Sequence, residues 1–443
     1  MYSRLKRKLT GEPADKSKDK KPITILLLTN KNSDNVGDHA IEACDIALIK
    51  AAMKNLGIAE SAYRITSREG SIVPKNTQWD NDPALLDRAR KLISDADVVM
   101  FGGAPVINYK YQMMYHRTAL TLDLAEELGT PVFFSSIGIE SYDEDDPKCQ
   151  LIKKALNQKC VKRISTRDGY ELLEQYKDRE DLVIDKAADP AVFARYVFRN
   201  IIPDRKRSKK KVGIFVIRHN AFTDNNVDFN WRQAAELWRG LAAELESRGY
   251  DYELLSSGYH GDEVMLSSLR SNYGIPTSKS VTAINFLEDL IGHLADYDAV
   301  VTCRLHPSIL AYSMGIPSVS LLWNPKVRGL YDNAGYPERV LELKDFTPEK
   351  IADALQRAIE QGIDYDENYY MSVYRNIFYG LKETLGLDDN AAEIYSFSEL
   401  ISAIPPYEGT SEQEKAAKLR RKFRRIYSGF DALRTKLEEQ NNN

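Results

Sequence analysis

The sequence of 443 residues predicts an α/β protein made of two doubly wound, Rossmann-like domains facing a cleft, followed by a helical C-terminal extension. Three observations carry this. Short, continuous apolar runs recur at intervals long enough to hold a helix, the pattern of strands buried on both faces of a parallel sheet. The series breaks once, near residue 200, at a proline and a dense cationic run, and then starts afresh. The chain is also longer than one ordinary domain, and 43% apolar with 28% charged residues is globular composition.

Ile23 to Thr29 (ITILLLT), bounded by Pro22 and Asn30, reads as the first strand, with a helical pattern from about His39 to Asn55 after it. Val98 to Phe101 runs into Gly102-Gly103, Val132 to Ser135 runs into Ile137-Gly138, and Arg163 to Ser165 precedes a helical stretch from Gly169. Strands separated by helix-length segments make βαβ units. NIIPDRKRSKKK, ending at Lys211, reads as a domain linker. A second set follows: a strand over Val212 to Arg218, a helix over Trp231 to Ser247, a strand over Tyr252 to Ser256, a helix near Ile284 to Leu294, and strands over Ala299 to Cys303 and Ser318 to Trp323. The expected organisation is a basic tail (1–21), an N-terminal α/β domain (22–195), a linker (196–211), a C-terminal α/β domain (212–365) and a helical extension (366–443).

Composition removes several classes of function. No run approaches the roughly 18 apolar residues of a membrane span, and residues 1–21 lack the apolar core of a secretory signal, so a cytoplasmic protein is expected. Sixty-one basic against 65 acidic residues leave a net charge of -4, so nucleic acid is not an expected partner. Cys44, Cys149, Cys160 and Cys303 have no paired spacing and read as buried thiols. Neither a phosphate-binding GxxxxGK[ST] loop nor GxGxxG occurs, and HExxH is absent, so no nucleotide cofactor and no metal is expected. The acidic run Asp143 to Asp146 reads as a turn leading into a helix at Pro147.

The strongest local signal is VVTCRLHPSILAYSMGIPSVSLLWNPKVRG, residues 300–329. A strand ends near Arg304, and Pro307 suits the first turn of the helix that follows. If strand geometry persists, Arg304 and His306 project to the same side and form an anion cradle whose imidazole can donate a proton. Lys326 and Arg328 follow the next strand, and Arg218 closes the first strand of the second domain. Guanidinium forks match carboxylate and phosphate, which suits a small substrate bearing both. In the first domain, Asp38 reads as a helix N-cap. Asn35, Asp38, Gly102 and Gly103 at strand ends are also placed to face a sugar. Thr166-Arg167-Asp168 and Ala188-Asp189-Pro190 read as capped turns.

The ordered series NVGDHAI at Asn35, FGGAP at Phe101, STRD at Ser165, ADPAVF at Ala188, CRLHPSILAYSMGIP at Cys303 and NPKVRG at Asn324 resembles the polysaccharide pyruvyl transferases over about residues 23–335. Ala104 stands where that family usually has a third glycine, and Asp34 where glycine is common. The resemblance implies a two-domain fold like the GT-B glycosyltransferases. It also implies transfer of pyruvate from phosphoenolpyruvate onto two hydroxyls of a sugar, as a cyclic ketal with release of phosphate. Phosphoenolpyruvate would then lie on Arg218, Arg304, His306 and Lys326, with His306 and Arg304 catalytic and the acceptor on the Asn35, Asp38, Gly102 and Gly103 side. The alternatives on the same fold are a nucleotide-sugar glycosyltransferase and a non-enzymatic scaffold for polysaccharide assembly.

Two cationic regions lie outside this frame. Lys6 to Lys8 with Lys16 to Lys21 form one, and KAAKLRRKFRRIYSGF near the C-terminus forms the other, with Leu419, Phe423 and Ile426 at helical spacing. The second reads as a helix packing a narrow face on the body, or as a peripheral contact with a membrane that carries a lipid-linked acceptor.

Overall fold

The computed structural model describes residues 21–110, 114–203, 210–387 and 392–441. The N-terminal lysines before Lys21 and residues 204–209 of the expected linker lie outside them.

Two six-stranded parallel sheets form the body. The first holds β1 (Ile23–Thr29), β2 (Tyr63–Glu69), β3 (Val98–Gly102), β4 (Val132–Ile137), β5 (Val161–Thr166) and β6 (Val183–Lys186), in the order β2-β1-β3-β4-β5-β6. The second holds β7 (Lys211–Phe215), β8 (Asp251–Leu255), β9 (Ser280–Val281), β10 (Ala299–Thr302), β11 (Ser318–Leu321) and β12 (Val340–Leu341), in the order β12-β11-β10-β7-β8-β9. Every pairing is parallel. This is the two-domain, GT-B-like arrangement that the sequence predicts. Sheet growth reverses between β1 and β3 and again between β7 and β10, and open α/β sheets leave a ligand crevice at such switch points.

Four strands fall outside the sequence expectation, and all four are sheet edges: β2, β6, β9 and β12. An edge strand pairs on one side only. In β2 and β6 no residue is buried, so no continuous apolar run announces them. The central strands are solidly buried, as in β1, β3 and β4.

Three local expectations are corrected. The first helix spans Val36–Asn55, and its N-cap is Asn35 rather than Asp38: Asn35 Oδ1 accepts from the Gly37 amide at 3.2 Å, which places Asp38 in the first turn. β7 ends at Phe215, so Arg218 sits in the loop beyond it. β10 ends at Thr302, Arg304 is a helix N-cap in extended conformation, and His306 already belongs to helix Leu305–Ser313, so the two do not share a strand face. The acidic turn behaves as expected, with Asp146 capping helix Pro147–Leu156 by accepting from Lys148 N at 2.8 Å. The four cysteines are buried free thiols.

After the second sheet the chain returns to the first. Asn376, on helix Glu367–Thr384, donates to the Phe134 carbonyl of β4 at 3.1 Å. Gly380 stands where any side chain would overlap the Phe133 ring. The final helix, Glu412–Asn441, bridges both domains. Lys422 donates to Glu263 (2.7 Å) and Asn285 (2.9 Å) on the second domain, and Arg425 donates to Asp34 (2.6 Å) on the first. The docked face is therefore cationic. Phe423, expected on that face, is 57% exposed, because the helix turns Lys422 toward Glu263 and Arg425 toward Asp34.

Candidate active site

The loops after β1 and β10 meet where the two switch points face each other. Asn35, its Oδ1 engaged by the Gly37 amide, turns its Nδ2 to His306 Nδ1 at 3.0 Å. Nδ1 is thereby the acceptor, and the neutral imidazole carries its proton on Nε2. Nε2 lies 3.5 Å from Asp38 Oδ1 and has no hydrogen-bond partner among the described residues. The backbones also meet: the Val36 amide donates to the Ser257 carbonyl at 2.8 Å.

The electrostatics of this pair follow from burial. Desolvation pushes His306 down to about 4; Asp189 opposes this, while Arg167, Arg304 and Lys326 add to it. Burial raises the Asp38 carboxyl above its ordinary value, against a hydrogen bond from Ser33 and the charges of His39 and Arg167. Each group is thus driven toward its uncharged form, and the pair can hold one proton between them.

The expected cations line the same cleft, each matched to a carboxylate. Arg304 sets its guanidinium on buried Asp262, with Nε at 2.9 Å from Oδ2, and lies against the rings of Tyr259 and Trp323 at 5.2 and 6.0 Å. Asp262 also accepts from the backbone amide of Arg218 at 2.8 Å, which ties the two arginine loops together. The Arg218 side chain pairs with Asp224 at the cleft surface. Lys326, in the first turn of helix Pro325–Asn333, reaches across to Glu140 of the first domain, which also accepts from Asn108.

Gly102 and Gly103 are placed differently from Asn35 and Asp38. A side chain at Gly102 would overlap Asp45, and one at Gly103, whose φ is +57°, would overlap Ile41, so both glycines let β3 end tightly against helix Val36–Asn55. His306, Asn35 and Asp38 come together, with Arg304, Lys326 and Arg218 around them.

Three residues of the cluster are absent from the sequence expectation. Arg167, read as part of a capped turn, is buried and paired with buried Asp189, and its charge acts on both Asp38 and His306. Asp189 does cap a turn, accepting from Ala191 N at 2.9 Å, and holds Arg167 with its other oxygen. Asp45 lies two turns below Asp38 with both carboxyl oxygens buried and unpartnered among the described residues; burial, then Asp189 and Glu42, hold it well above its ordinary value. The signal for Arg167 was its position directly after β5. Among the described residues no group of His, Cys, Asp or Glu is arranged to hold a metal ion.

The model of the family described as polysaccharide pyruvyl transferase matches residues 16–325. No curated protein matches the chain. Among solved structures, the chain is similar to a UDP-N-acetylglucosamine 2-epimerase at 12% identity, with a TM-score of 0.52 over 85% of this chain and 99% of that one. It is likewise similar to the putative UDP-N-acetylglucosamine 2-epimerase of Listeria monocytogenes, at 12% identity and a TM-score of 0.51 over 85% and 100%. At that identity the likeness is one of fold.

Proposed function

Because the chain belongs to the polysaccharide pyruvyl transferase family, we propose that it transfers pyruvate from phosphoenolpyruvate to two hydroxyls of a sugar, forming a cyclic ketal. The observation that carries this reading is the cross-domain cluster of His306, Asn35 and Asp38 set among Arg218, Arg304 and Lys326. Phosphoenolpyruvate needs cations for its carboxylate and phosphate and one proton for its methylene carbon, and the cluster offers both.

In this reading the ligand takes Arg218 and Lys326 over from Asp224 and Glu140, while Asp262 keeps the Arg304 fork in place. The anionic charge of the ligand raises His306, which becomes protonated and delivers that proton to the methylene carbon. The resulting cation at C2 is attacked by one sugar hydroxyl, phosphate leaves, and the second hydroxyl closes the ketal. The C2 methyl keeps the delivered proton, and the two hydroxyl protons go to the site base and the departing phosphate. A placed acid contributes about 10²- to 10⁴-fold in rate, and the arginines stabilise the developing charge. Asn35 and Asp38 both orient His306 and border the acceptor side.

The final helix supports a peripheral location at an anionic membrane that carries the acceptor. Leu419, Phe423, Ile426, Phe430, Leu433 and Leu437 follow a seven-residue repeat along one face, of which Phe423, Phe430, Leu433 and Leu437 are exposed. Lys415, Arg420, Arg434 and Lys436 flank that stripe, while Lys422 on the same flank is buried against Glu263. Pairing with a second copy would set like charges together, whereas an anionic lipid surface accepts both the stripe and its flanks.

A nucleotide-sugar enzyme is the second reading, suggested by the names of the two structural neighbours. Thermal shift separates the two. Phosphoenolpyruvate at 100 times its dissociation constant adds about 2.7 kcal/mol to stability. A shift with UDP-sugars and none with phosphoenolpyruvate selects the second reading.

A further inference from the structure

Beside the candidate active site lies a cavity of about 370 Å³ that the proposed reaction does not use. Its floor is the helix Val36–Asn55, through His39, Glu42 and Ile46; Pro405–Thr410 forms one wall, and Lys418 and Arg421 of the final helix form the other. Asp38 and His39 are consecutive and so point about 100° apart on the helix. Asp38 faces the His306 cluster, and His39 faces this cavity.

The charges of the cavity do not balance. Lys31 is paired with Glu42 and Lys50 with Glu408, each at 2.8 Å, and Glu414 accepts from the Ser411 amide and hydroxyl. Lys418 is only 6% exposed, and its Nζ has no hydrogen-bond partner among the described residues; Arg421 Nε is buried and unpartnered in the same way. A buried ammonium that no carboxylate meets at hydrogen-bond distance, with Asp34 and Asp38 acting on it only from farther off, is unfavourable, and such a group points to a missing anion. The lining also carries the apolar side chains of Ile46, Val197, Pro405 and Tyr407, beside the Lys50–Glu408 pair. The unpartnered cations therefore suit an anion and these apolar walls a chain.

We infer that this cavity binds a phosphate group borne on an apolar chain, with the phosphate on Lys418 and Arg421 and the chain along Val197, Pro405 and Tyr407. Phosphate fits better than carboxylate here because its several oxygens can serve an ammonium and a guanidinium at once. An amphiphile fits better than a free ion because the apolar walls would otherwise face bulk water. The site is separate from the one proposed for phosphoenolpyruvate.

Titration calorimetry of the full-length protein with octyl phosphate, below its micelle concentration, tests this. One equivalent is expected to bind, at least tenfold more tightly than inorganic phosphate, which lacks the chain, and than octyl glucoside, which lacks the charge. Lys418→Met, which keeps the side-chain volume, and Arg421→Gln are each expected to weaken octyl phosphate at least tenfold. Lys418→Met should melt no lower than the parent, since it removes an unpartnered buried charge, so its lost binding cannot be put down to misfolding. No binding, unchanged affinity in both variants, or equal binding of either control overturns the assignment.

Discussion

The imidazole of His306 stands where a side chain at Gly37 would have to be, so the turn after β1 and the helix after β10 are interlocked across the domain boundary. A methyl group at position 37 would collide with His306 Cβ and Cγ. The backbone bond from Val36 to Ser257 holds the same contact closed. The cluster is thus complete only when the two domains are in contact, and a ligand that enters between them has to part them first.

Gly37→Ala is therefore expected to push His306 out of register with Asn35 and Asp38. Overpacking of this kind costs about 1–3 kcal/mol, and a displacement of about 1 Å costs roughly 10²-fold in turnover. Phosphate release and melting temperature measured on the same preparation check both. Near-parental turnover in Gly37→Ala would show that the interlock is not needed for chemistry.

Burial holds His306 down to about 4, so the free protein carries it neutral at pH 7. A proton donor at this position must gain its proton when the anionic substrate arrives. Binding of phosphoenolpyruvate at pH 7 is expected to take up close to one more proton in the parent than in His306→Gln, read from calorimetric enthalpies in buffers of different ionisation heat. Equal uptake in the two would remove His306 from the acid role. The same lowered value makes the residue destabilising in acid. The unfolded chain protonates near 6.5 and the folded one only near 4, so this contribution to stability is lost progressively as pH falls between those values.

Arg218 and Arg304 should separate binding from folding. The Arg218–Asp224 pair is partly exposed, and such pairs are worth about 0–1 kcal/mol, so Arg218→Ala should keep its melting temperature and raise the KM for phosphoenolpyruvate. Arg304→Ala leaves the fully buried Asp262 side chain without its partner, which costs about 3–5 kcal/mol, so it should lower the melting temperature as well. Equal melting temperatures for the two variants would contradict the pairing described here.

Lys418 is a stability liability with a defined pH window. Burial lowers it to about 8; Asp34 and Asp38 oppose this, while Lys422 and Arg421 add to it. The unfolded lysine titrates near 10.5, so the cost is full below about pH 8 and fades as pH rises toward 10.5. Lys418→Met should exceed the parent in stability by up to roughly 3 kcal/mol at pH 7, and chemical denaturation across pH 7–10 should show the gap closing. A gap that stays constant across that range would mean that Lys418 titrates normally.

The exposed stripe beyond the docked part of the final helix gives a separable membrane test. Phe430→Glu with Leu433→Glu should abolish sedimentation with anionic vesicles at low salt and leave the melting temperature unchanged, because these side chains are 63% exposed. Undiminished sedimentation of the double variant removes the stripe from any membrane contact.

Central strands such as β1 (ITILLLT) were readable from sequence because burial on both faces demands an unbroken apolar run, whereas β5 and β8, which carry exposed or half-buried polar residues, followed from their place in the strand–helix alternation. The edge strands β2 and β6 were not, since they carry mixed residues with none buried, such as the YRITSRE of β2, and β9 and β12 are two residues each, too short to form a run. Periodicity is a local property, and it reports burial rather than pairing.

The same division applies to the site. Sequence alone singled out Asn35, Asp38, Arg218, Arg304, His306 and Lys326 as candidates for the chemistry, near rather than at the strand ends, and an ordered set of motifs placed the chain in one family. It could not assign their partners. Arg304 turns to Asp262 within its own domain, while His306, two residues on, crosses to Asn35 in the other, because the helix begins between them at Leu305. Arg167 and Asp189 join the cluster only because two turns, each well capped by itself, are brought face to face. Caps and strand ends follow from interactions within a few residues. Charge pairing across the cleft depends on how closely two separately folded sheets approach, and only the tertiary structure decides that.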